Sequence, residues 1–183
     1  MKKENKNTLI TGLLVLVVGV GVYFAFFHEK TLPRPELSDP PKLVEPKNHK
    51  YSFDNPPVYK KEGEVRFTDG QNGELISRID VEIADTEFDR ALGLMFRPEM
   101  ADTLGMLFLF EQERNQAFWM RNTIIPLDII YVNSKGEIVK IYENTKTRSD
   151  KSLPSGKPAI YVVEVNGGYC DEHGIEAGDM VEF

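Results

Sequence analysis

A chain of 183 residues with 22 Lys+Arg against 29 Asp+Glu, for a formal net charge of −7, has room for one domain of ordinary size plus some non-globular sequence. Its single cysteine, Cys170, excludes an intrachain disulfide and also excludes lipid attachment just after an N-terminal apolar run. Three histidines, with no HExxH, paired-Cys, GxSxG or phosphate-loop pattern, leave metal hydrolysis and serine chemistry without their usual parts.

Residues 1–8 carry Lys2, Lys3 and Lys6 and read as a cytoplasmic N-terminus. Leu9 to Phe27, "LITGLLVLVVGVGVYFAFF", runs 19 positions without a charge, about the length a helix needs to cross a hydrocarbon layer of roughly 30 Å. A cleaved signal peptide would end at a small-x-small site, whereas this run exits through Tyr23-Phe24-Ala25-Phe26-Phe27. The expectation is a retained single-pass anchor in the cell membrane, with the remainder of the chain periplasmic or extracellular. Residues 28–57 hold seven of the eleven prolines and read as an extended spacer, because proline fixes φ and removes a backbone donor.

Residues 58–183 read as one folded domain. With 14 Lys+Arg and 23 Asp+Glu its formal balance is −9, and no basic stripe is present, so nucleic acid is excluded as a partner. "EVRFTDGQNGELISRIDVEIA" reads as a hairpin: Val65, Phe67 and Ile79, Val81, Ile83 alternate, and Asn72-Gly73 supplies the turn. "DTEFDRALGLMF" reads as a helix over about 85–96, capped by Asp85 or Thr86, with Phe88, Ala91/Leu92 and Met95 on one apolar face and Pro98 ending it. Short apolar runs follow as strands: "MLFLF", "AFWM", "LDIIYV", "EIVKIY", "AIYVVEV" and "DMVEF", with a short helix near Asp171 to Gly174. The fold class is α+β, mainly β: an antiparallel or mixed sheet, or a partly closed barrel, with one main helix.

"GLMFRPEM", "GMLFLF", "FWMRNTIIPLDIIYVNSKGEIV", "YVVEVNGG" and "GIEAGDMVEF", in this order and at these separations, resemble the DUF192 family (domain of unknown function 192) from about Glu74 onward. The resemblance implies a compact β-rich domain, often exported, with no established activity and no catalytic residues to carry over. Arg121 stands where the family commonly has Lys, and Cys170 lies where no family cysteine is expected.

The candidate ligand-binding set is Arg97, Trp119, Arg121, Asn122, Thr123, Asp128 and Glu164. Phe118, Trp119 and Met120 cannot all face one side of a strand, so at least one projects away, and the following cation, amide, hydroxyl and carboxylate could orient a small ligand against an apolar wall. Equally, Asn122-Thr123 can be a self-bonded turn, with Arg121 or Arg97 paired to Asp128 or Glu164 to fix strand packing. The best functional expectation is non-catalytic binding of a small molecule, glycan or peptide, or an envelope accessory role, without cofactor. Two other classes stay open: a hydrolase using Asp128 and Glu164 as a carboxylate pair, and Cu(I) binding by Met95, Met100, Met106 and Met120 beside Trp119, against the plainer role of Met as core filler. Cys170 reads as a buried small hydrophobe, since His173 has no visible partner.

Overall fold

In the computed structural model, residues 50–183 are described. The expected cytoplasmic N-terminus (1–8), the anchor (9–27) and the spacer up to residue 49 lie outside the described residues, and among the described residues no helix is long and apolar enough to cross a membrane. Seven strands and two short helices follow one another as β1 (Gly63–Thr68), β2 (Leu75–Ala84), α1 (Glu87–Leu92), β3 (Leu104–Phe118), β4 (Leu127–Val132), β5 (Ile138–Tyr142), β6 (Leu153–Asn166), α2 (Tyr169–His173) and β7 (Met180–Glu182). One mixed sheet takes the order β5-β4-β6-β3-β2-β1-β7, antiparallel except where β2 meets β3.

The two ends of that order approach each other. Glu137 bridges Met180, Ile138 N–H donates to the Asp179 carbonyl at 2.8 Å and Val181 N–H donates to the Gly136 carbonyl at 2.7 Å. The sheet is therefore a partly closed barrel whose seam lies between β7 and the start of β5. Each strand has two faces, and period-2 alternation sorts the side chains between them. One face supplies Val65, Phe67, Ile79, Val81, Leu107, Ile130, Val132, Ile138, Val163, Val165 and Val181 from all seven strands to a single interior cluster, with Tyr169, Cys170 and Ile175 plugging one end. The opposite face carries a second cluster, including Ala84, Met106, Phe108, Leu127, Ile129, Tyr131 and Val162, packed beneath Leu94, Met120 and Ile125. Because both faces of β4 are covered, all six of its residues are buried, as expected of a strand with no solvent side.

The hairpin forms as expected, with Gly73 at φ 74° in its turn. Two expectations need correction. The run "MLFLF" and the first two residues of "AFWM" belong to one 15-residue strand ending at Phe118, whose exposed middle at residues 111–114 crosses a register shift against β6 and so looks like a loop in the sequence. The main helix spans Glu87–Leu92 rather than about 85–96, buries none of its residues and leaves Phe88 exposed. Thr86 does cap it, its hydroxyl accepting from Asp89 N–H, but Gly93 at φ 48° ends it well before Pro98. Leu94 and Met95, beyond the helix, are the residues that enter the core.

Gly105 marks the closest strand approach: a Cβ there would stand 2.7 Å from the Glu164 carbonyl oxygen and 2.7 Å from Ile79 Cδ1. Any side chain at this position would force β3 and β6 apart.

Candidate functional site

The register places the candidate residues. β4 and β6 pair with Asp128 opposite Val165 and Ile129 opposite Glu164. Directly opposed residues share a face and adjacent ones do not, so Asp128 points to the interior and Glu164 to the outer face. The carboxylate pair expected from sequence therefore does not form: the sheet itself separates the two acids.

Asp128, with no exposure, is a structural anchor. Its Oδ1 accepts from the amides of Asn144 (2.6 Å) and Gly168 (2.9 Å), and its Oδ2 accepts from the Cys170 amide at 2.8 Å. Three N–H groups, one of them buried and two part-buried, thus find their acceptor in one side chain, which ties the chain around α2 and the 144 loop to β4. Burial and the neighbouring Asp128 push the Cys170 thiol upward, which leaves it inert as a nucleophile. His173 stacks on Tyr169 at 4.0 Å, with Nδ1 3.0 Å from the Tyr169 carbonyl.

Arg121 pairs with neither expected acid. Its Nε donates to Asp150 at 2.6 Å on the surface, and its guanidinium lies 4.1 Å over the ring of Trp119. Phe118 and Met120 turn inward, Phe118 meeting Phe108 edge-on at 4.9 Å, while Trp119 projects away under Arg121. Asn122, at φ 54°, accepts the Phe96 amide on its carbonyl at 3.0 Å and sends its side-chain amide to Met95 Sδ at 3.9 Å. Thr123 is buried and donates its hydroxyl to the Arg121 carbonyl. "FWMRNT" is thus a strand end and a self-bonded turn that props the 93–98 loop.

On the outer face, Glu82 (β2), Met106 (β3), Glu164 (β6), Ile129 (β4) and Tyr142 (β5) form one row across the sheet. The family-like stretch "GLMFRPEM" covers it. Arg97, 5% exposed, reaches Glu82 at 2.5 Å, and Glu82 also accepts the Lys60 amide at 2.9 Å. Burial holds the Glu82 carboxyl above its usual range despite Arg97. The Arg97 Nε–H and the Tyr59 hydroxyl are buried without a hydrogen bond, and burial with the nearby acids pushes Tyr59 up to about 12.

Glu164 differs from every other acid in the domain. It is 4% exposed, among Met106, Phe108 and Ile129, and none of the described residues gives its carboxyl a hydrogen bond or an ion pair. Burial alone raises it to about 8. Above it sits Gly93, whose missing Cβ would lie 4.0 Å from Oε2 and 3.4 Å from Phe108 Cζ. The sequence placed Arg97 and Glu164 among the candidates; the structure puts Glu164 in this row and Arg97 on Glu82 at its end. It missed Glu82, Tyr59 and Gly93; only the position of Gly93 at the head of "GLMFRPEM" gave a signal.

The methionines serve as packing. Met106 and Met120 are in the outer cluster with Met100 packed against it, and Met95 is buried with Asn122 on its sulfur. Among the described residues no group of three His, Cys, Asp or Glu is arranged to hold a metal ion.

The chain matches a defined family of proteins. The DUF192 family model, "Uncharacterized ACR", matches residues 67–183, and the chain belongs to that family. It is 33% identical to a UPF0127 protein of Pyrococcus furiosus over 58% of this chain and 88% of that protein, and 30% identical to one of Thermococcus sibiricus over 56% and 65%. Among solved structures, it is similar to a candidate transcription regulator of Sinorhizobium meliloti (TM-score 0.62, 37% identity, 65% of this chain and 91% of the other). It is also similar to a protein of unknown function from Novosphingobium aromaticivorans (TM-score 0.61, 40% identity, 66% and 84%).

Proposed function

We propose that the domain binds a small ligand without catalysis at the outer face around Glu164, and that the apolar run at residues 9–27 holds it at the external side of the cell membrane. The observation that carries the binding reading is the lone carboxyl. A buried polar group without a partner costs free energy, and its retention in the middle of an apolar row is explained by a partner that arrives from outside the chain. The Arg97–Glu82 pair in the same row adds a second polar feature to orient that partner.

Hydrolysis by a carboxylate pair has no support, since Asp128 and Glu164 lie on opposite faces. The description of the Sinorhizobium meliloti relative does not transfer either, because 23 acids against 14 bases in residues 58–183 repel a phosphate backbone.

Native mass spectrometry of the full chain, purified in mild detergent, tests the binding reading. A small-molecule mass released from the wild type and lost in Glu164→Leu is the expected result. Its absence from the wild type, or its equal presence in Glu164→Leu, would sink the assignment. Topology is tested separately: alkaline phosphatase fused after residue 57 should be active, and activity only from a cytoplasmic reporter fused there would reject the external placement.

A further inference from the structure

We infer that the Glu164 site takes a small organic monocation, an alkylammonium or guanidinium group that pairs with the Glu164 carboxylate. This rests on the binding reading above and names the ligand class. The inference comes from accounting for the charged and phenolic groups on the outer face. Glu82 is matched by Arg97. Asp80, one row away on β2, pairs with Lys61 at 2.6 Å, and Lys140 on β5 lies 4.4 Å over the Tyr142 ring. Tyr131 donates its hydroxyl to the Leu153 carbonyl, and Tyr142 donates to the Pro154 carbonyl at 2.9 Å. Of the three buried acids among the described residues, Asp128 and Glu82 have partners and Glu164 is the one left over, so a charge that pairs with its ionised form is a positive one.

The surroundings favour an organic cation over the alternatives. Phe108 stands beside the carboxyl, since a Cβ on Gly93 would lie 3.4 Å from Phe108 Cζ and 4.0 Å from Glu164 Oε2, and aromatic rings attract cations. A metal ion needs more donors than one carboxyl, and none converge here among the described residues. The acid surplus of the domain draws cations and repels anions. Since burial raises the Glu164 carboxyl to about 8, binding of a cation at neutral pH ionises it: its proton leaves to solvent as the ligand's charge takes its place.

The test follows the Glu164 carboxyl by NMR in the full chain, labelled with carboxyl-carbon glutamate and held in detergent micelles. The probes are n-butylammonium, 1-butanol and butyrate, which differ chiefly in charge. Butylammonium alone should lower the apparent pKa of Glu164, by about one unit for a tenfold preference for the ionised form, and Glu164→Gln should abolish the perturbation of neighbouring signals. Nα-acetyl-lysine amide run alongside distinguishes a lysine side chain from a free amine as the source of the cation. Equal perturbation by 1-butanol or butyrate, with Glu164 still protonated, would overturn the cation assignment while leaving ligand binding intact. No response to any amine overturns it as well, and the mass-spectrometric test then judges the binding reading by itself.

Discussion

Asp128 and Glu164 are both buried acids, on neighbouring strands and one rung apart, yet one is surrounded by donors and the other by hydrocarbon. Asp128 satisfies three amides of the loops it gathers, while Glu164 has burial without compensation. Depth alone therefore does not distinguish a partnered carboxyl from an unpartnered one. The inventory of partners does, because a buried charge is stabilising only when its hydrogen-bonding capacity is met.

The largest expected effect falls on the satisfied side. Asp128→Ala removes the acceptor of three amides, one of them fully buried, and should cost about 3–5 kcal/mol in urea unfolding. A loss below about 1 kcal/mol would erase the contrast between the two acids. Arg97→Ala comes next, at about 2–3 kcal/mol. Glu82 is left without its cation, but its carboxyl is already raised by burial and can take up a proton, so the loss should shrink as the pH falls. A loss that grows toward low pH would contradict the pairing.

Glu164 should behave in the opposite sense. Its folded pKa of about 8 stands above the ordinary 4.5, so between those values the folded chain holds a proton that the unfolded chain has released. The contribution of this residue to stability is complete below about pH 4.5 and declines by up to about 1.4 kcal/mol per pH unit until the folded group ionises near pH 8. Glu164→Gln should flatten that part of the stability profile, and Glu164→Leu should gain about 2 kcal/mol at pH 8. Parallel wild-type and mutant profiles would show that the carboxyl is partnered after all. The smallest effect belongs to Arg121→Ala, which removes an exposed ion pair and a surface stack and should cost less than about 1 kcal/mol by thermal melt.

Much of the scaffold could be read from local pattern. Alternation at Val65, Phe67, Ile79 and Val81 and the Asn72-Gly73 turn report a contact made close to the residues concerned, and the largely apolar run "LDIIYV" reports a strand covered on both faces. What could not be read depends on register between distant segments. Whether Asp128 and Glu164 share a face turns on one residue of offset between β4 and β6, and a one-residue slip exchanges the faces. The partner of Arg121 was misassigned for a related reason: Asp150 lies in a loop, with no periodicity to bring it forward. Phe88 was assigned to a core because helical spacing cannot say whether a six-residue helix has anything to bury against.

The seam has a kinetic consequence. β7 is the last of the seven strands in chain order and pairs with the first, joining Arg66 to Glu182 across 116 positions, while its flank bridges to the start of β5. Contacts of such long range are entropically expensive to close and tend to form late. During synthesis, β1 and β5 therefore present unpaired edges until residue 182 has emerged, and open edges invite pairing with other chains. The interval before closure is when this domain is most exposed to aggregation, and substitutions at Val181, buried at the seam, would lengthen it.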